Sequence, residues 1–206
     1  DKNYWKKWFP ADFISENMPG QCRGWFNALF WASVALTSKA PMKSILVYET
    51  LKDEKGEEMH KSKGNAVWFD DAVEKVGADP MRLLYCLQDP AQELRFGFIA
   101  LKEPTQTLLI LTNICKLLGN VKGIGGNKVE DRWIMSKCNS LIKKVTQELE
   151  ALHPHTAART LQEFWLSDLS RGYLQIVRER LAENNAEVQA TLLKVYGVLL
   201  LLLAPM

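Results

Sequence analysis

Apolar positions change rhythm along this chain. Residues 12–15 (Asp12-Phe13-Ile14-Ser15) follow Pro10 and read as a short strand. Residues 21–36 carry apolar and aromatic side chains at helical spacing, after the Pro19-Gly20 break. Residues 43–50 read as a second strand centred on Ile45, Leu46 and Val47. Strand, helix, strand at these lengths predicts one βαβ unit of a parallel sheet. Residues 69–76 predict a short amphipathic helix with acids in its first turn and Gly77 at its end. A second helix is expected from Asp79 as N-cap with Pro80 at its first position. From about residue 101 the pattern is helical, in segments 103–118, 131–152, 156–182 and 187–203, with a glycine cluster at residues 119–126. Recurring 3.6-residue periodicity predicts a helical bundle. In parallel sheets ligands sit at the carboxyl ends of strands. The loops bearing Glu16 and Lys61 are therefore expected to border one crevice.

Composition narrows the class. The chain has 206 residues, 47% apolar and 24% charged, which is ordinary for a globular protein. A net charge of +2 is no electrostatic signature of nucleic-acid binding, so any such contact would have to come from local patches. Basic residues on the later helices (Lys137, Lys143, Lys144, Arg178, Arg180) are interspersed with acids, and a solvated face explains them as well as RNA does. Cys22, Cys86, Cys115 and Cys138 lie far apart, so neither a structural zinc site nor a disulfide framework is implied, and reduced cytoplasmic thiols are expected. The apolar run at residues 198–204 is short of a membrane span and is expected to pack inside the bundle. A piece of a longer protein is expected, since there is no initiator methionine and the chain stops inside an apolar run.

Chemistry concentrates at Glu58-Met59-His60-Lys61-Ser62-Lys63-Gly64-Asn65. Two lysines supply point charge, Ser62 a hydrogen-bond donor, and Gly64 a close backbone approach, which together suit a polyphosphate. A solvated surface turn is the competing reading of the same residues. Trp25, Phe26, Phe30 and Trp31, read without further context, are helix core. Arg82 is expected as an ion-pair partner, and Trp133 and Arg171 as bundle packing and salt bridging.

Taken in order, these stretches resemble the class I aminoacyl-tRNA synthetases of the isoleucine, valine and leucine group, the isoleucyl enzymes most of all. Phe9-Pro10-Ala11-Asp12-Phe13-Ile14-Ser15-Glu16 is similar to the strand ending in an adenylate-contacting glutamate. Gln21-Cys22-Arg23-Gly24-Trp25-Phe26 resembles the helix start that follows it. Asp53-Glu54-Lys55-Gly56 with Met59-His60-Lys61-Ser62-Lys63-Gly64-Asn65 resembles the Lys-Met-Ser-Lys-Ser loop. Gly77-Ala78-Asp79-Pro80-Met81-Arg82 resembles the stretch downstream of it. Asp131-Arg132-Trp133-Ile134 and Asp168-Leu169-Ser170-Arg171 resemble the anticodon-binding helices.

The resemblance implies a fold and roles. The fold is an α/β segment, the second half of a Rossmann-like catalytic domain, followed by an all-α anticodon-binding bundle. The domains expected are residues 1–50 of the catalytic domain, a connecting module at 51–98, and a truncated bundle at 99–206. Lys61 is the expected catalytic residue. Lys61, Ser62, Lys63 and Asn65 are expected on ATP, and Glu16, Gln21 and Trp25 on the aminoacyl-adenylate, with Trp25 lining the pocket for a branched aliphatic side chain. ATP with Mg2+, an aliphatic amino acid and tRNA are the implied substrates and partners, in a cytoplasmic monomer with no membrane contact. A paralogue without ligase chemistry, holding tRNA or a protein partner, is the alternative.

This sequence departs from the family pattern around the site. Glu58 stands where the loop has its first lysine, and His60 where it has its first serine. Tyr48-Glu49 replaces a His-Gly-type pair, Gly20 an aspartate, and the segment between Glu16 and Gln21 is one residue longer. The His-Ile-Gly-His motif and the editing domain are not in these 206 residues. The isolated chain is therefore expected not to aminoacylate.

Overall fold

A computed structural model describes residues 1–119 and 125–206. Most of the glycine cluster at 119–126 lies outside the described residues. The chain divides into two compact units, residues 1–67 with 88–97, and residues 68–87 with 98–206.

In the first unit α1 (Lys2–Trp8) precedes β1 (Ala11–Asn17), the short α2 (Met18–Gln21), α3 (Trp25–Thr37) and β2 (Met42–Tyr48). β1 and β2 pair in parallel, with Ile14 opposite Ile45 and Glu16 opposite Val47, so both strands end on one edge. This is the βαβ unit that the apolar rhythm predicts. The crossover helix starts at Trp25 rather than residue 21, because Gln21 and Gly24 turn the chain first. α1 has no counterpart among the predicted elements: it is two turns long and basic, and none of its residues is buried. The two-residue strands β3 (Leu51–Lys52) and β4 (Leu94–Arg95) form a second parallel pair. The Lys52 and Glu93 side chains meet there at 2.6 Å, and that ion pair raises the lysine pKa and lowers the carboxylate's.

The second unit holds α4 (Phe69–Val76), α5 (Ala78–Leu87), α6 (Lys102–Lys116), α7 (Val129–Glu150), α8 (Pro154–Glu163), α9 (Leu174–Ile176), α10 (Arg178–Ala182) and α11 (Ala186–Leu203). Residues 68–87 of the expected 51–98 module thus pack with the bundle, through α5 against α6 and α8. α5 begins at Ala78, which moves Asp79 from the expected cap into the first turn. The periodic pattern at 156–182 is not one α-helix. It passes from α8 into a π-helical stretch, Phe164–Tyr173, before α9. There Phe164, Trp165, Leu169 and Tyr173 are buried, with Phe164 and Leu169 five positions apart, as the wider i→i+5 turn allows.

The core gathers Leu111 and Ile114 of α6, Ile134, Cys138, Leu141 and Val145 of α7, Leu161 of α8, the π stretch, and Val188, Leu192, Val195 and Leu199 of α11. α11 is long and apolar enough to cross a bilayer by length and composition, and its Val188–Leu199 face packs in this core. One polar cluster is embedded beside it. Asp131 is fully buried, accepting from the Tyr173 hydroxyl at 2.7 Å and from Arg180 at 3.0 Å. Arg180 also reaches Glu130 at 2.7 Å and Glu187 at 3.5 Å. A Cβ on Gly126 would overlap the Asp131 carboxylate, so only glycine lets the chain pass there.

Candidate nucleotide and adenylate site

Glu16, the penultimate residue of β1, is half-buried, and its Oε1 accepts from the Asn17 N–H at 2.9 Å and from the Tyr48 hydroxyl at 3.3 Å. Asn17 Nδ2 in turn donates to the Tyr48 carbonyl at 3.2 Å. The parallel register creates this cluster, because Asn17 and Tyr48 are directly opposed at the carboxyl ends of their strands. Burial, then the Glu16 charge, pushes the Tyr48 phenol above its ordinary pKa. The departure from the family pattern at Tyr48 therefore brings a hydroxyl onto the glutamate expected to meet the substrate's ammonium group.

Gln21 Oε1 accepts from the Trp25 N–H at 3.1 Å, satisfying an otherwise unpaired donor at the start of α3. Trp25 is 47% exposed and tilts against buried Phe26 at 5.2 Å between ring centroids. Phe30 and Trp31 are exposed as well, so the reading of this stripe as helix core holds for Phe26 alone. Trp25 instead lines an apolar cleft of 410 Å³ with Trp5, Trp8, Phe9, Leu29 and Leu36. That lining suits an aliphatic side chain.

The lysine loop is a built structure. Lys61–Lys63 forms a single 3₁₀ turn closed by Lys63 N–H to the His60 carbonyl at 3.1 Å. Gly64 continues it at φ 69°, a left-handed conformation that costs a side-chain-bearing residue about 1 kcal/mol or more. Lys61, Ser62 and Lys63 are all exposed. Asn65 sits below them, and its side chain is engaged within the loop, donating to Asp53 Oδ2 at 2.8 Å and accepting from the His60 N–H at 3.0 Å. Glu58 and His60, the two exchanged residues, pair with each other at 3.2 Å on the exposed side of the loop. The acidic side chain is thus engaged by a neighbour in its own loop.

In the bundle, Lys137 pairs with Asp168 at 3.1 Å, and Lys143, Lys144 and Arg178 are exposed. Arg180 is different: its side chain is only 14% exposed and is held by three carboxylates, which removes it from any solvated basic face. Arg171 is exposed. Trp133 packs against the core, beside Gly172. Arg82 donates to the main-chain oxygen of Met206 at 2.6 Å.

A parallel βαβ unit carrying a glutamate near paired strand ends, an aromatic cleft and a lysine turn, followed by a helical bundle, defines an α/β protein with an all-α module, and comparison with known proteins gives its family. Residues 1–97 match the family described as tRNA synthetases class I (I, L, M and V), and residues 131–206 match the anticodon-binding domain of tRNA ligase. The chain belongs to the class I aminoacyl-tRNA synthetases. Within them it is similar to isoleucine–tRNA ligases. That of Methanothrix thermoacetophila is 36% identical, over 100% of this chain and 21% of the relative. That of Pyrobaculum aerophilum is 35% identical, over 87% and 20%. The chain therefore spans about a fifth of the length of these relatives. Among solved structures, methionyl-tRNA synthetase of Mycobacterium tuberculosis in complex with methionyl-adenylate shares the fold at a TM-score of 0.74 and 21% identity, covering 100% of this chain and 43% of that one. The LeuRS–tRNA–LeuAMS ternary complex of Agrobacterium radiobacter K84 shares it at 0.69 and 18%, covering 95% and 26%.

Proposed function

We propose that the protein containing this chain is an isoleucine–tRNA ligase, which activates its amino acid with ATP and transfers it to tRNA. The observation that carries this reading is the similarity to isoleucine–tRNA ligases along the whole chain. In the activation step a carboxylate oxygen of the amino acid attacks the α-phosphorus of ATP. A P–O bond breaks and pyrophosphate leaves, with negative charge growing on the phosphoryl oxygens and the leaving group. Lys61 stabilises that charge, with Ser62 and Lys63 beside it, and such a contact is worth more in the transition state than before it. Glu16 receives the substrate ammonium, Gln21 shapes the start of the helix under the adenylate, and Trp25 offers its exposed face to the aliphatic side chain. ATP arrives with Mg2+ as substrate. The helical bundle takes the tRNA. Functionally, residues 1–50 serve the catalytic domain, 51–98 the connecting module and 99–206 the anticodon module, in a cytoplasmic monomer without membrane contact.

Charging of total tRNA by the whole protein with radiolabelled isoleucine, valine and leucine tests this reading. Stable charging with isoleucine is expected, and only traces with the other two. Preferred charging with valine or leucine would reassign the amino acid. No charging with any of them would favour the paralogue that lacks ligase chemistry.

A further inference from the structure

Asn65 stands apart from its neighbours in the lysine loop because its side chain is already committed. Both amide protons are used, one on Asp53 Oδ2 at 2.8 Å and one on the Glu58 carbonyl at 3.1 Å, while Oδ1 accepts from the His60 N–H at 3.0 Å. One side chain thus ties the two ends of the 60–65 segment together. Asp53 carries the tie down to the stem. Its Oδ1 accepts from the backbone N–H groups of Lys55 at 2.9 Å and Glu57 at 2.8 Å, and its own N–H donates to the Glu57 carbonyl at 2.9 Å. The Asn65 hydrogen bond, followed by the Glu57 N–H, holds the Asp53 carboxyl below its ordinary range. Directly beneath, Lys52 closes the stem: its carbonyl accepts from the Phe96 N–H at 2.7 Å and its backbone bridges to Glu58.

The hydrogen-bond path therefore runs from strand β3 through Asp53 and Asn65 to the turn bearing the lysines. Exposed polar loops of this length are ordinarily mobile. Here a carboxylate and an amide supply the internal bonds that a packed core supplies elsewhere.

We infer that Asn65 and Asp53 are positioning residues, which hold the 60–65 backbone in the shape that presents Lys61, Ser62 and Lys63 to a triphosphate, and that Asn65 does not itself touch the nucleotide. This rests on the reading of the lysine turn as the ATP loop. A displaced catalytic group costs up to about a hundredfold in rate for an error of about 1 Å, so the loss from freeing the turn is expected between tenfold and a hundredfold.

The test is amino-acid-dependent ATP–pyrophosphate exchange by the whole protein, with variants Asn65→Ala, Asp53→Ala, the double alanine variant, the exchanged pair Asp53→Asn with Asn65→Asp, and Lys61→Ala as reference. Asn65→Ala and Asp53→Ala are expected to lower kcat/KM for ATP by about ten- to a hundredfold each. The KM for the amino acid should stay unchanged, and the double variant should be no worse than either single one. The exchanged pair is expected to recover part of the loss, because the bond from position 65 to the Glu58 carbonyl is not replaced. In it the amide now at position 53 can donate to the carboxylate now at position 65. The amide oxygen at position 53 still accepts from the Lys55 and Glu57 N–H groups, and the carboxylate at position 65 still accepts from the His60 N–H. Asn65→Ala within twofold of the parent, beside an impaired Lys61→Ala, overturns the inference alone. So does an exchanged pair as weak as Asn65→Ala while Asp53→Ala is unaffected, since Asn65 would then act on the nucleotide directly. An unimpaired Lys61→Ala overturns the underlying ATP reading instead.

Discussion

Replacing Asp131 by alanine should destabilise the helical unit by about 3 kcal/mol, and the figure follows from what its carboxylate touches. Removing one member of a buried ion pair costs about 3–5 kcal/mol because the partner charge is stranded. Arg180 would not be wholly stranded, since it keeps Glu130 at 2.7 Å and Glu187 at 3.5 Å, which puts the ionic part at the low end of that range. The Tyr173 hydroxyl also loses its 2.7 Å acceptor, a loss included in that figure. Asp131→Asn keeps an acceptor for Tyr173 while losing the charge, and should cost about half as much. The assay is urea unfolding of the 206-residue chain followed by far-ultraviolet circular dichroism, a signal dominated by the helices. In a unit of this size about 3 kcal/mol corresponds to a fall of more than about 10 °C in Tm. Asp131→Ala and Arg180→Met should also be strongly non-additive, because they break one network. A loss below about 0.5 kcal/mol for Asp131→Ala, the range of a neutral surface change, would refute the reasoning.

Further outcomes follow from other particulars of the structure. Gly126→Ala should cost about 1–3 kcal/mol by the same unfolding assay, because its Cβ would press on the Asp131 carboxylate. Burial raises the phenol of Tyr196 from 10.0 to about 12, and Tyr173 is raised as well. Unfolded tyrosines lose their protons first, so stability is full below pH 10.0 and falls as pH rises towards about 12. Tyr196→Phe should flatten that fall in a pH series of melting curves. Glu58→Gln should change the KM for ATP by less than about tenfold, since an exposed charge in high dielectric is worth about 1 kcal/mol. A larger change would place Glu58 against the phosphates. If the bundle takes tRNA, affinity should fall linearly in log–log form as salt rises, and a salt-independent filter-binding titration would count against it.

What the sequence made legible, and what it did not, divides along physical lines. α6, α7 and α11 follow from apolar periodicity because each buries a stripe over several residues, and β1, α3, β2 and α4 follow from the same rhythm although few of their residues are buried. α1 is two turns long and buries nothing, and β3 and β4 are two residues long, so none of them sustains a periodic signal. The π-helical stretch was hidden because its apolar residues are dense enough to satisfy either helical spacing, and tertiary packing of Trp165 and Tyr173 decides between them. Within the candidate site, the types of Lys61, Ser62 and Gly64 announced phosphate chemistry. The braces did not announce themselves. Asp53 and Asn65 lie twelve positions apart with a turn between them, and their bond is visible only in three dimensions. One trace was present, an aspartate two residues before Lys55-Gly56, the ordinary signature of a side chain capping its own turn. Arg180 shows the opposite failure: a basic residue among acids reads as a solvated face, and here the acids enclose it.

Isoleucine-dependent ATP–pyrophosphate exchange by the whole protein and its Lys61→Ala variant decides whether the lysine turn serves amino-acid activation. The account predicts robust exchange in the parent and a drop of about a hundred- to a thousandfold in kcat on losing this one charge at the phosphates, with isoleucine KM little changed. Equal exchange by the two proteins would contradict it.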